Sequence, residues 1–334
     1  AYRNLTRKDA DYNKQPNFYP PLTADVNPLD PFTPILRAYE GDKVLIRFMQ
    51  GATEEGHNFT VSGLRWQHEA DDPTSRFKNS EMNAISEHFE LDLGRLPAIS
   101  ANRADYLYMP GASVDDQWNG NWGLLRSYNG VRSDLLVLPS NTDGRLNRAN
   151  FGTVLGSDGV APKSAPIRSF DLSAVRAIDA LPGGKVVYNA GHSLSDPTAL
   201  LYVNTADLDS AGKLRGGVPI EPLVLRANAG DHLVVTLRNK YKARPTDQVG
   251  FNAFPAIVDD WNANMIVPSV EAGLHPQLVH YDPAKAHGIN VGVNALTTVK
   301  TGQSITYHWY AGTLDVNDAT GVITATPVEF GATN

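Results

Sequence analysis

Histidine is the residue type in this chain whose chemistry could bind a metal strongly, because the 334 residues include nine histidines and no cysteine. Neutral imidazoles are good ligands for zinc, copper and iron. The missing thiol excludes disulfides, thiolate catalysis, iron–sulfur clusters and Cys-based zinc sites. It also excludes a blue-copper centre made by this chain alone, since that centre needs a Cys thiolate beside two imidazoles.

The spacing of the histidines limits which of them could share a metal. Side chains at i and i+2 lie on the same face of a strand, but no two histidines here are separated by a single residue. His275 and His280 are five positions apart, so on a strand they would face opposite sides and could not chelate together.

Two histidines are the candidate metal ligands. His275 could bind a metal together with groups from another chain, because a lone imidazole gives only weak affinity. His57 could be a partial copper ligand, and the alternative is a histidine at a strand end that is satisfied by hydrogen bonds. The sequence identifies no catalytic residue.

Two other histidines favour plainer interpretations. The aromatic neighbours of His308, within 307–310, predict that it packs inside a sandwich. His68 stands in an acidic loop, which is either a solvated turn or a manganese or calcium site. The acidic neighbours are Glu69, Asp71 and Asp72.

Short alternating runs predict the elements that must position these side chains. Runs such as KVLIRF, HFELDL, HLVVTL and SITYHWY have the period of two that is typical of half-buried strands. Turn signals such as Gly41-Asp42 and Gly230-Asp231 separate them, and helical periodicity is nearly absent. The chain is therefore predicted to be all-β, with antiparallel sheets arranged as sandwiches.

An internal repeat indicates two units of similar construction. Leu36-Arg37-Ala38 is followed by a Gly-Asp turn and an apolar strand, and Leu225-Arg226-Ala227, far along the chain, is followed by the same pattern at the same spacing. The predicted organisation is an arm, a first domain, a linker and a second domain. The boundaries are 1–34 for the Pro-rich arm or linker, 35–140, 141–165 for the inter-domain linker, and 166–334.

The repeated unit resembles the opening of a cupredoxin domain in multicopper oxidases. The segment EPLVLRANAGDHLVVTLRN, Glu221–Asn239, is similar to an entry strand of large bacterial enzymes of this family, including manganese oxidases. Glu55–Trp66 and Tyr106–Tyr128 resemble metal-flanking strands, and Tyr307–Gly312 resembles the aromatic strand before a ligand strand. The resemblance implies two cupredoxin-like Greek-key sandwiches and copper-dependent oxidation coupled to reduction of dioxygen to water.

The sequence departs from the ligand pattern that this resemblance implies. The family builds its trinuclear copper cluster from His-x-His pairs, which this chain lacks, and Gln277 stands where a second ligand would follow His275. We therefore expect copper to belong to a complete assembly whose ligands lie mainly outside this chain. The alternative is a copper-free structural or binding module at the cell surface, since a fold does not fix a function.

Three further features of the sequence predict the partner and the location of the protein. The second unit lacks a counterpart of the first unit's closing strand, so we expect a second polypeptide to complete it and to carry copper ligands. The net charge of −7 and the absence of a basic run argue against a nucleic-acid partner. No apolar stretch has the length of a membrane span, and the start at Ala1 is interpreted as a mature secreted chain, extracellular or periplasmic.

Overall fold

The computed structural model describes residues 35–51, 56–72, 74–110, 122–242, 270–317 and 319–328. The predicted arm, 1–34, lies outside the described residues. Strands β1 to β9 are Leu36–Tyr39, Lys43–Met49, His57–Val61, Trp66–Gln67, Phe77–Lys78, Ser80–Asn83, His88–Arg95, Arg103–Pro110 and Gly123–Tyr128. Strands β10 to β17 are Ile167–Arg176, Val186–Asn189, Leu194–Asp196, Leu200–Asn204, His232–Asn239, Ser304–Tyr310, Gly312–Val316 and Ile323–Pro327.

The α-helices in these ranges are single turns. They are α1 (Phe151–Val154), α2 (Ala177–Ala180) and α3 (Pro283–Ala286). None of the helices in the described ranges is long and apolar enough to cross a bilayer.

Two larger sheets confirm the all-β prediction. The first sheet has the order β1-β9-β8-β3-β6, and the second has the order β13-β10-β14-β15. Each sheet also contains one parallel pair, β1 with β9 and β10 with β14, so the sheets are mixed rather than purely antiparallel. The two strands of each parallel pair are joined by long crossovers, as parallel pairing requires.

The period of two decides which side chains of the second sheet reach the core. On β14, Val235 and Leu237 are fully buried and pack with Tyr307 of β15. The alternate positions, among them His232 and Thr236, lie on the opposite face. This outer face therefore carries most of the polar residues of β14 and β15.

The repeated Gly-Asp turn is built in the same way in both units. Gly41 and Gly230 have φ values of 84° and 87°, a region that favours glycine. The Asp42 carboxylate accepts the backbone N–H of Tyr39 at 2.9 Å, and Asp231 accepts that of Asn228 at 2.8 Å. The strands that follow the two turns pair differently, since β2 pairs with β7 while β14 lies between β10 and β15.

The predicted linker, 141–165, makes hydrogen bonds to residues from both predicted domains. The Asn141 amide donates to the Glu40 carbonyl at 2.9 Å. Further along, the Asn150 side-chain oxygen accepts the N–H of Ile323 at 2.6 Å. The domain boundaries drawn from the sequence stay a prediction.

A buried ion pair joins the first sheet to a loop that follows α3. The Asp105 carboxylate accepts two hydrogen bonds from Arg126, at 2.7 and 2.8 Å, and the two side chains are 0% and 1% exposed. Asp105 also accepts the backbone N–H of Val293 at 2.8 Å, and its own N–H donates to the side chain of Asn294. The pair thus fixes the position of the loop.

We predict that Asp105→Asn lowers the free energy of unfolding by about 3–5 kcal/mol, because it leaves the Arg126 guanidinium buried without a counter-charge. Urea unfolding followed by circular dichroism measures the effect. The matched control is Glu90→Gln, whose partner Arg47 is 77% exposed, and it should cost no more than about 1 kcal/mol. Equal losses in the two variants would show that burial of the pair is unimportant.

Candidate metal sites

The segment that carries His275 and His287 is shaped by one capped turn and one close backbone approach. The Asp282 side chain accepts the N–H of Ala284 at the start of α3, and Pro283 occupies the first turn. Gly288 has a φ of 74°, and a Cβ atom there would lie 1.8 Å from the Leu274 carbonyl oxygen. Only glycine allows the chain after His287 to pass this close to the segment before His275.

His287 is fully buried where this segment packs against the first sheet. Its Nε2 lies 2.9 Å from Ser62 Oγ, which also accepts the backbone N–H of Leu107 at 3.0 Å. Its Nδ1 has no hydrogen-bond partner within the described part of the chain. Burial and the neighbouring His275 lower the pKa of His287 to about 3, so the ring is neutral in the folded protein.

His275 is partly buried beside it, with the two ring centroids 4.9 Å apart. The His275 Nδ1 lies 2.8 Å from the His287 carbonyl oxygen. A carbonyl can only accept, so Nδ1 carries the proton and Nε2 keeps its lone pair. A backbone carbonyl that holds one ring nitrogen is how proteins commonly orient a metal-binding imidazole.

The other predicted positions have contacts of their own. His57 begins β3 and pairs in the ladder with Asn83. Gln277, which stands where the sequence resemblance implies a second ligand, instead accepts a hydrogen bond from Asn79 at 2.6 Å. His280 is held through its backbone N–H to the carbonyl oxygens of Tyr310 and Gly312.

A second group of ligand-type side chains lies on the outer face of the second sheet. His232 pairs with Tyr310 and His308 pairs with Val234, so the two histidines are diagonal neighbours on one face. His232 Nε2 and His308 Nδ1 are 3.1 Å apart, and each lies 3.2 Å from Asp158 Oδ2. Among the described residues, this is the one cluster of three or more metal-ligand side chains with convergent donor atoms.

A tight loop between α1 and β10 places Asp158 over this face. The Gly156 N–H donates to the Ala161 carbonyl at 2.9 Å, which closes the loop. The other carboxylate oxygen of Asp158 accepts the N–H of Val160 at 3.0 Å, which turns Oδ2 toward the histidines. Val160 and Ala161 pack against Tyr310, so the loop is anchored to β15.

The sequence interpretation missed this group for two reasons. The packing prediction for His308 is wrong, because Tyr307 and Trp309 face the core and the alternation turns His308 outward, with 38% of its side chain exposed. Asp158 falls in the predicted linker, and nothing in its local sequence connects it with the distant strands β14 and β15. The period of two could have found the pair in the sequence. His232 and His308 stand at the alternate positions of β14 and β15 whose side chains point outward.

The loop of His68 does not form a comparable cluster. His68 is exposed and lies 2.8 Å from the Lys78 ammonium, while Asp72 accepts the N–H and hydroxyl of Thr74 in a tight turn. This arrangement fits the solvated-loop interpretation.

Comparisons with known proteins give weak structural likenesses. No family model and no curated protein matches the chain. The copper nitrite reductase from Nitrosomonas europaea is 10% identical, with 90% of this chain and 84% of that chain covered and a TM-score of 0.24. The laccase-like multicopper oxidase CueO from Ochrobactrum sp. is 13% identical, with 88% and 53% covered and a TM-score of 0.24.

A multicopper oxidase from Pediococcus acidilactici is 10% identical, with a TM-score of 0.22. The chain spans 34% of that enzyme's length, and 62% of this chain is covered. Because these likenesses are slight, the function must be argued from the residues of this chain.

We predict that the protein loses stability as the pH falls from about 6.5 toward 4, and that His287 contributes one proton to this loss. Its folded pKa is lowered to about 3, whereas an unfolded histidine titrates near 6.5, so the unfolded state binds the extra proton in between. His287→Gln should flatten the dependence by about 1.4 kcal/mol per pH unit in this range.

Urea unfolding at several pH values measures this slope. His192→Gln, at an exposed position near the β11–β12 hairpin, is the matched control and should leave the slope unchanged. Parallel curves for His287→Gln and the wild type would contradict the prediction.

Proposed function

We propose that this chain is a cupredoxin-like module of a secreted copper-dependent oxidase, in which His275 supplies one copper ligand and another polypeptide supplies the rest. The observation that carries the proposal is the hydrogen bond from His275 Nδ1–H to the His287 carbonyl at 2.8 Å. It fixes the tautomer and leaves Nε2 free to bind a metal. The sequence resemblance to multicopper oxidases supports copper as that metal.

The donor set of this chain does not fit a complete copper site. A blue-copper centre needs a thiolate, and the sequence has no cysteine. A trinuclear cluster needs His-x-His pairs, which are also absent. His275 fits only as part of a shared site, and we assign no oxidation step to this chain alone.

His57 is the weaker of the two ligand candidates. It starts β3, on the strand that leads into Ser62, and it belongs to no group of three or more convergent ligand side chains among the described residues. Within this proposal it would serve a different position of the assembly, or would only make hydrogen bonds.

The second candidate function is a copper-free structural or binding module on the same scaffold. The observation that favours it is the bond between Gln277 and Asn79, because it uses the ligand position to hold the segment before α3 against the first sheet. In this case the His275–His287 pair would serve packing alone.

We predict that the purified chain shows no blue-copper absorption, whereas the native material contains copper and a second polypeptide that carries cysteine. The intense visible band of such a centre arises from a copper–thiolate bond, which this chain cannot form. Metal analysis, visible spectroscopy and mass spectrometry of both preparations make the comparison. The band in the chain alone would refute the proposal, and native material with neither copper nor a second polypeptide would favour the structural module.

Within the assembly, His275→Ala should remove copper while His192→Ala should not. Retention of the full copper content by His275→Ala would exclude His275 as a ligand and leave His57→Ala as the variant to test.

A further inference from the structure

We propose that Asp158, His232 and His308 form a second metal site, one that binds a divalent first-row transition ion without help from another chain. The site lies on the outer face of the second sheet, at the start of β14 and near the end of β15. It goes beyond the shared copper site because all three ligands come from this chain.

The distances fit a single ion. The three donor atoms form a nearly equilateral triangle with edges of 3.1, 3.2 and 3.2 Å. A tetrahedral ion with bonds of about 2.0–2.1 Å separates its ligand atoms by about 3.3–3.4 Å, and an octahedral ion with bonds of about 2.1–2.2 Å separates neighbours by about 3.0–3.1 Å. The observed edges lie between these two geometries.

Hydrogen bonds alone satisfy such a triangle poorly. The two edges that leave each corner diverge by about 60°, so an N–H aligned with one edge cannot bond along the other. If both imidazoles donate to Asp158, two protonated nitrogens face each other at 3.1 Å. A cation off the plane of the triangle, about 2.0–2.2 Å from each corner, would remove this conflict, because each atom could then offer it a lone pair.

The chemistry of the donors selects the class of ion. Two imidazoles and one carboxylate suit zinc, copper, iron, manganese, cobalt or nickel, whereas magnesium and calcium prefer oxygen ligands. Three protein ligands leave at least one position for solvent or a small ligand, as in catalytic rather than closed structural sites. The exposed side is that of His308, because His232 is only 13% exposed and Asp158 is 23% exposed.

The surrounding structure holds the ligands before any ion binds. The ladder between β14 and β15 fixes the backbones of His232 and His308, and the N–H of Val160 orients the Asp158 carboxylate. A bound ion would join the loop 156–161 to both strands. This preorganisation reduces the ordering cost of binding.

The test is a calorimetric titration of the full chain, stripped of metal with a chelator, with Zn²⁺ and in parallel with Co²⁺. We expect saturation at one equivalent and visible Co²⁺ absorption bands. Asp158→Asn keeps the shape of the side chain and the contact with Val160, yet should weaken binding by at least about 100-fold. His308→Gln should do the same.

A control variant and a spectroscopic measurement separate this site from the others. His192→Gln, at an exposed position, should bind as the wild type does. The titration uses this chain without the second polypeptide that the copper proposal requires, so failure of either proposal leaves the other standing. X-ray absorption of the Zn²⁺-loaded wild type should show two imidazoles and no sulfur, which tests the site even if a variant fails to fold. Absence of saturable binding, or one equivalent that persists in both Asp158→Asn and His308→Gln, would overturn the proposal.

Discussion

The buried pair of Asp105 and Arg126 is the interaction that ties the first sheet to the loop after α3. A charge pair whose side chains are this completely enclosed is tolerable only when every lone pair is satisfied. Arg126 donates two hydrogen bonds to the carboxylate, and the N–H of Val293 donates a third. The first sheet therefore requires the loop after α3, and this requirement brings His287 against Ser62.

The loop after α3 also explains why the imidazoles of His275 and His287 differ. His287 is enclosed completely, so it must stay neutral and acts as a packed polar group. His275 lies nearer the surface, and its proton is committed to a backbone carbonyl. Burial thus selects one histidine for structure and leaves the other with a usable lone pair, although the two stand close together in the sequence.

Local pattern is enough to predict the class of the fold and its repeated turn. The alternation in HLVVTL predicts β14, and the Gly-Asp pairs predict turns whose hydrogen bonds are the same at Asp42 and Asp231. Local pattern could not predict the parallel pairing of β10 with β14, because strand order depends on contacts between distant residues. The alternation of side chains along β15 predicts that His308 points outward, whereas its aromatic neighbours suggest that it is buried.

The segment between the two units shows why long-range polar contacts escape a sequence interpretation. Its Gly, Asn and Ser content is typical of a loose connection, yet Arg148 forms an ion pair with the fully buried Glu40 and Asn150 holds the start of β17. Burial raises the pKa of Glu40, and the Arg148 guanidinium opposes this effect. Asp158 extends the same principle, since its carboxylate finds its partners on strands that begin much later in the chain. Residues that look like a solvated linker in the sequence therefore make the polar contacts that fix this segment. A cation held by Asp158 would strengthen the contact between the segment and strands β14 and β15.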